Sequence, residues 1–156
     1  MNGYQRISAA FAGERPDHVP VILHNFMMAA REAGHLLSEW RMDPEKISGS
    51  FIQAVETYGF DGVMFDLDTA TLAGALGVPV EQPENDPALS HGACLQDLAE
   101  IDGLEPADVG ADPRVQVWLE AVRLLVAHFG NEVLVRGNCD QAAFSLASMM
   151  RGPVSY

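Results

Sequence analysis

The stretch from Tyr58 to Glu81, YGFDGVMFDLDTATLAGALGVPVE, constrains the fold more than any other. A short apolar run, Gly62 to Phe65, is followed by Asp66 and Asp68 and then by a small-residue segment with helical spacing that closes at Gly77. That order reads as a buried strand whose C-terminal end opens into a loop and a helix. In parallel α/β folds such strand ends are where sites are built. Asp66 and Asp68 are two residues apart, so on an extended backbone they share one face while Phe65 and Leu67 take the other.

The rest of the chain repeats this grammar. Tyr4, Ile7, Ala10 and Phe11 fall at helical spacing before Gly13. Turn residues Glu14 to Asp17 lead to a predicted strand, Val19 to Leu23, ending at His24 and Asn25, with Pro20 tolerable near its start. Phe26 to Trp40 is expected to be helical in part, with Gly34 as its weak point. Asp43-Pro44 supplies an N-cap and a first-turn proline for a helix whose apolar stripe is Ile47, Phe51, Ala54, Val55 and Tyr58. Gln82 to Gly92, with Pro83 and Pro87, reads as an irregular excursion, and Leu95 to Ile101 as a short helix. Asp112-Pro113 repeats the capping signal before Val115, Trp118, Leu119, Val122, Leu125, Val126 and Phe129. Glu132 to Arg136 is the third predicted strand, followed by Asn138, Cys139, Asp140 and an apolar helix through Met150. Alternating strands and helices imply a parallel sheet in one α/β domain covering residues 1–156. Three strands are too few to close a barrel of eight.

Charge narrows the partners. Lys plus Arg number 9 against 22 Asp plus Glu, a net charge of −13 that repels phosphate backbones and anionic membranes. No apolar run is long enough to span a bilayer and the N-terminus lacks a signal-peptide layout, so a cytoplasmic location is expected. Cys94 and Cys139 have no paired metal spacing and read as reduced thiols. Three strand tips would converge, carrying His24 and Asn25, then Asp66 and Asp68, then Asn138, Cys139 and Asp140. A carboxylate there could stabilise positive charge or handle a proton, or it could cap the next helix. His24 can be a pocket group or a satisfied loop histidine, and Cys139 an activated thiol, although the adjacent Asp140 opposes that. The Met27-Met28 and Met149-Met150 pairs read as core filler. No glycine-rich phosphate loop or His-Glu-x-x-His motif is present.

Four blocks carry a family resemblance: RISAAFAGERPDHVPV, AREAGHLLSEW, YGFDGVMFDLDTATLAGALGVPVE and VRGNCDQAAFSLASMMRG. In this order they resemble the N-terminal half of the uroporphyrinogen decarboxylase superfamily, which also holds zinc-dependent methyltransferases that move methyl groups between a corrinoid and coenzyme M. The resemblance implies a (β/α)8 barrel of about twice this length, of which the chain would be roughly the first three βα units with insertions. It implies cofactor-independent decarboxylation of a tetrapyrrole in porphyrin biosynthesis. Arg31 matches an arginine that grips substrate carboxylates, and Asp68 matches the catalytic aspartate that contacts pyrrole N–H groups and stabilises the cationic intermediate. His35 stands where the family has a second arginine, and Gly137-Asn138-Cys139 replaces a glycine-phenylalanine pair. His24, Asp66 and Asn138 complete the candidate substrate-binding set.

Those departures, with the acidic charge, point toward the methyltransferase branch. Its zinc ligands lie in the other half, so no metal ligand is assigned here, and zinc and corrinoid belong to that alternative. A third alternative is a non-catalytic half barrel that pairs with itself, since open sheet edges invite association. The expected partners are therefore a tetrapyrrole or corrinoid and a second copy of the chain, not nucleic acid or membrane.

Overall fold

The computed structural model describes residues 1–66, 68–138 and 142–152. Cys139 and Asp140, weighed above as strand-tip groups, lie outside the described residues. The chain divides into two compact units, Met1–Leu67 with Val117–Asn138, and Asp68–Gln116 with Cys139–Tyr156.

The first unit is an α/β layer. Its sheet has three parallel strands in the order β1 (Ile22–Leu23), β2 (Gly62–Phe65), β5 (Leu134–Gly137). Helices α1 (Gly3–Phe11), α2 (Phe26–Glu32), α3 (Leu37–Trp40), α4 (Pro44–Tyr58) and most of α6 (Pro113–Phe129) belong with it. The start of α4 is fixed as its sequence dictates: the Asp43 Oδ1 atom accepts the N–H groups of Glu45 and Lys46, and Pro44 opens the helix. Gly59, at φ +68°, ends it in a left-handed conformation that costs glycine no Cβ clash. The buried stripe of α4, Ile47, Phe51, Ala54 and Val55, packs with Leu23, Val63 and Phe65 of the sheet and with Ala121, Leu125 and Phe129 of α6. Trp40, Phe51 and Phe65 form a chain of tilted rings through this core, with centroids 6.2 and 5.8 Å apart.

Several boundaries differ from the sequence expectation. The first strand is Ile22–Leu23 rather than Val19 to Leu23, because Pro20 has no N–H and the Val21 N–H donates to the Asp61 carboxylate at 2.8 Å. The segment from Phe26 to Trp40 is two helices, α2 and α3, parted by a turn with Gly34 at φ +78°. The third parallel strand starts at Leu134, after a turn through Asn131.

The second unit holds α5 (Thr71–Ala75), α7 (Ala142–Arg151) and two strands that the sequence does not announce. β3 (Val80–Glu81) pairs antiparallel with β4 (Leu89–Ser90), so the excursion predicted as irregular carries a short ladder. The predicted helix Leu95 to Ile101 is a 3-10 helix over Leu98–Gly103, entered through Asp97, whose side chain accepts the Ala99 N–H. Cys94 is a free, half-buried thiol within 3.5 Å of the Met150 carbonyl. Among the described residues no helix is long and apolar enough to cross a membrane.

Candidate functional site

Side chains of a strand alternate between the two faces of its sheet. Leu23, Val63 and Phe65 point into the core with α4 and α6. By alternation Ile22, Gly62, Met64, Leu134 and Arg136 occupy the opposite face, and His24, Asp66 and Asn138 continue that row just beyond the strand ends. The N-terminal end of this face is closed: a Cβ on Gly62 would lie 2.7 Å from Ile7 Cδ1 of α1 and 3.0 Å from the Leu134 carbonyl. The C-terminal end is where the polar groups gather.

Asp66 is their centre. Its Oδ2 atom accepts the Asn138 side-chain N–H at 3.0 Å and lies 3.4 Å from His24 Nε2. Both contacts fall on one oxygen, so Oδ1 has no partner among the described residues. The Asp66 side chain is 16% exposed and His24 is 60% exposed. The Asn138 amide N–H donates to the Phe65 carbonyl at 3.0 Å, which continues the parallel ladder and fixes Asn138 beside Asp66. Three residues predicted from strand-tip position thus come together through hydrogen bonds.

Among the described residues no hydrogen bond joins Arg31 or His35 to this cluster. Arg31 is exposed in the last turn of α2 and its side chain makes no hydrogen bond or ion pair among the described residues. His35 is half-buried in the turn after α2.

Asp68 belongs to the second unit and is occupied locally. Its Oδ1 atom accepts the N–H groups of Ala70 and Thr71 at 2.8 and 2.7 Å, and Oδ2 accepts the Thr71 hydroxyl at 2.9 Å. The residue is 7% exposed and holds the entry to α5. Arg114 lies over α5 where Gly74 has no side chain. The hydrogen-bonded Asp112 carboxylate raises the Arg114 pKa above its usual value, with Asp68 adding to the effect and burial opposing it. The same guanidinium lowers the pKa of Asp112.

Sequence reasoning missed Arg136. Its exposed guanidinium sits on the polar face opposite Met64 in the register, and Nη1 donates to Met64 Sδ at 3.4 Å. Counting back two residues from Asn138 would have found it. Among the described residues no group of three or more His, Cys, Asp or Glu could hold a metal ion.

The family model described as "Uroporphyrinogen decarboxylase (URO-D)" matches residues 2–155. No curated protein matches the chain. Among solved structures, a methyltransferase from Methanosarcina mazei is similar with a TM-score of 0.83 and 22% identity, over 98% of this chain and 46% of that one. The chain thus spans about half the length of that protein, and at this identity the likeness is one of fold.

Proposed function

Because the chain belongs to the uroporphyrinogen decarboxylase family, we propose that it forms the N-terminal part of a (β/α)8 barrel whose polar strand tips line a pocket for a tetrapyrrole-like macrocycle, and that the reaction served is methyl transfer from a corrinoid to a thiol. The observation that carries this reading is the contrast between the two aspartates. Asp68, which decarboxylation would require to meet pyrrole N–H groups, accepts three hydrogen bonds from its own loop and is buried. Asp66 keeps an oxygen that no described residue engages. The row of one carboxylate, one amide, one imidazole and one guanidinium suits a macrocycle rim of mixed donors and acceptors better than one bearing eight carboxylates. The net charge of −13 argues the same way, and the fold likeness to a methyltransferase accords with it.

The chain's own residues have definite parts in this reading. In this reading Asp66 accepts the Nε2–H of His24, which makes Nδ1 the acceptor nitrogen of the imidazole. A thiol taking a methyl group must shed its proton, and Nδ1 is its acceptor. Asn138 holds Asp66 in place. The described residues do not fit a zinc site, so no step runs through a metal bound by this stretch.

Decarboxylation is the second reading. It is favoured by the family's description and by Arg31, an exposed guanidinium that no described residue pairs and that could hold a substrate carboxylate.

The test is titration of the purified chain with methylcobalamin and with uroporphyrin III, a stable stand-in for uroporphyrinogen, then turnover of methylcobalamin with a thiol and of uroporphyrinogen alone. Saturable methylcobalamin binding, weakened about tenfold (about 1.4 kcal/mol) by Asp66→Asn, is expected. Uroporphyrinogen turnover without methylcobalamin binding overturns methyl transfer in favour of decarboxylation. Binding of neither ligand overturns both and leaves the self-associating half barrel, which light scattering would report as a dimer.

A further inference from the structure

We infer that Arg136 is the anion-holding group of this site, taking a carboxylate, sulfonate or phosphate on the ligand whose donor groups face Asp66 and His24. The inference rests on the reading of the polar face as a ligand site and holds for either reaction.

Three observations carry it. The first is position: the β2–β5 register sets Arg136 opposite Met64, and alternation gives it the same face as His24, Asp66 and Asn138. The second is an unspent charge. Among the described residues its guanidinium makes no ion pair and hydrogen-bonds only to the Met64 thioether, a weak acceptor that neutralises nothing. The third is context. In a chain with 22 acidic residues and 9 basic ones, Arg6, Lys46, Arg114 and Arg123 each pair with a carboxylate. Asp66, on the same face, is instead engaged by Asn138 and His24. The planar guanidinium fork therefore stays open to an oxyanion, which it can bind through two parallel N–H bonds. Met64, lying against it, offers an apolar surface for the ligand's body.

The oxyanion could sit on the macrocycle or on a small acidic thiol, and two arms separate these sources. One measures uroporphyrin III binding by fluorescence. The other compares mercaptoacetate with uncharged mercaptoethanol by calorimetry. Each is run on the wild type, Arg136→Ala, Arg136→Lys and Asp66→Asn, with circular dichroism to verify folding, which the exposure of Arg136 favours.

Arg136→Ala should weaken the anionic probe of at least one arm tenfold or more and leave mercaptoethanol unchanged. Arg136→Lys should restore only part of the loss, because an ammonium lacks the fork. If Asp66→Asn weakens binding and Arg136→Ala does not, the site stands and this inference falls. If neither substitution matters, or no probe binds the wild type, both fall.

Discussion

Asp68 offers a direct trial of what its carboxylate does. Alanine there would strand the N–H groups of Ala70 and Thr71 and the Thr71 hydroxyl, in residues each 1% exposed, where water cannot replace the lost acceptor. A lost helix-entry cap costs about 1 kcal/mol and each buried unsatisfied donor about 1–3 kcal/mol before relaxation, so a total near 3 kcal/mol is expected. Asparagine keeps an oxygen for both N–H groups, and its amide can donate to the Thr71 hydroxyl oxygen, so its cost should stay below about 1 kcal/mol. At roughly 2–4 °C per kcal/mol for a chain of this size, Asp68→Ala should lower Tm by about 6–12 °C and Asp68→Asn by less than about 4 °C. Far-UV circular dichroism on heating and in urea reads both. An alanine variant within about 0.5 kcal/mol of wild type would refute the local hydrogen-bonding account. Equal losses in the two variants would mean that charge, not the acceptor pattern, matters. A fully stable Asp68→Asn protein that has lost turnover would return Asp68 to the chemistry.

Two further outcomes follow from the N-terminal helix. A Cβ on Gly3 would clash with the backbone carbonyl of Asp61, so Gly3→Ala must push α1 off the sheet, at an overpacking cost of about 1–3 kcal/mol; an unchanged urea midpoint would contradict this contact. The Asp17 carboxyl is held well below the usual carboxylate range, chiefly by its hydrogen bond from Arg6 and further by the N-terminal ammonium, with desolvation opposing. A depressed folded pKa gives stability that is complete above the unfolded value of about 3.9 and is lost as pH falls through the folded one. The urea-midpoint gap between wild type and Asp17→Asn should therefore close on acidification below that range, and a gap constant from pH 5 to 2 would refute the pairing.

What could be read from the sequence tracked the length of the local signal. The start of α4 was legible to the residue because Asp43, Pro44 and the stripe of Ile47, Phe51, Ala54 and Val55 agree, whereas Tyr58, read as part of that stripe, is exposed and donates to Glu32. The strand Gly62–Phe65 was legible from its apolar run. The β3–β4 ladder was not, since strands of two residues are too short to show a period. Val21 left the first strand because a side chain 40 residues away, Asp61, claims its N–H, which no local pattern reveals. In the candidate site His24, Asp66 and Asn138 were found as strand-tip residues. Arg136 was read only as the end of the third strand, because its place beside the other polar groups depends on the register with β2. For Asp68 the sequence left capping and catalysis open together, and the geometry supplies the capping partners.

The docking of α1 also bears on the order in which the chain can fold. The Asn2 side chain donates to the Asn131 carbonyl, 129 residues away, and the Tyr4 N–H donates to the Glu132 carbonyl. The helix α1 is made well before the residues it docks on and is therefore among the last of these elements able to reach its native place, waiting until the strand that follows Glu132 has emerged. Until then its Ile7 and Ala9, both buried once docked, have only part of the sheet to cover. Such a closing contact raises the mean sequence separation of the fold and slows its formation. It also exposes an unfinished chain to association at its apolar N-terminal face.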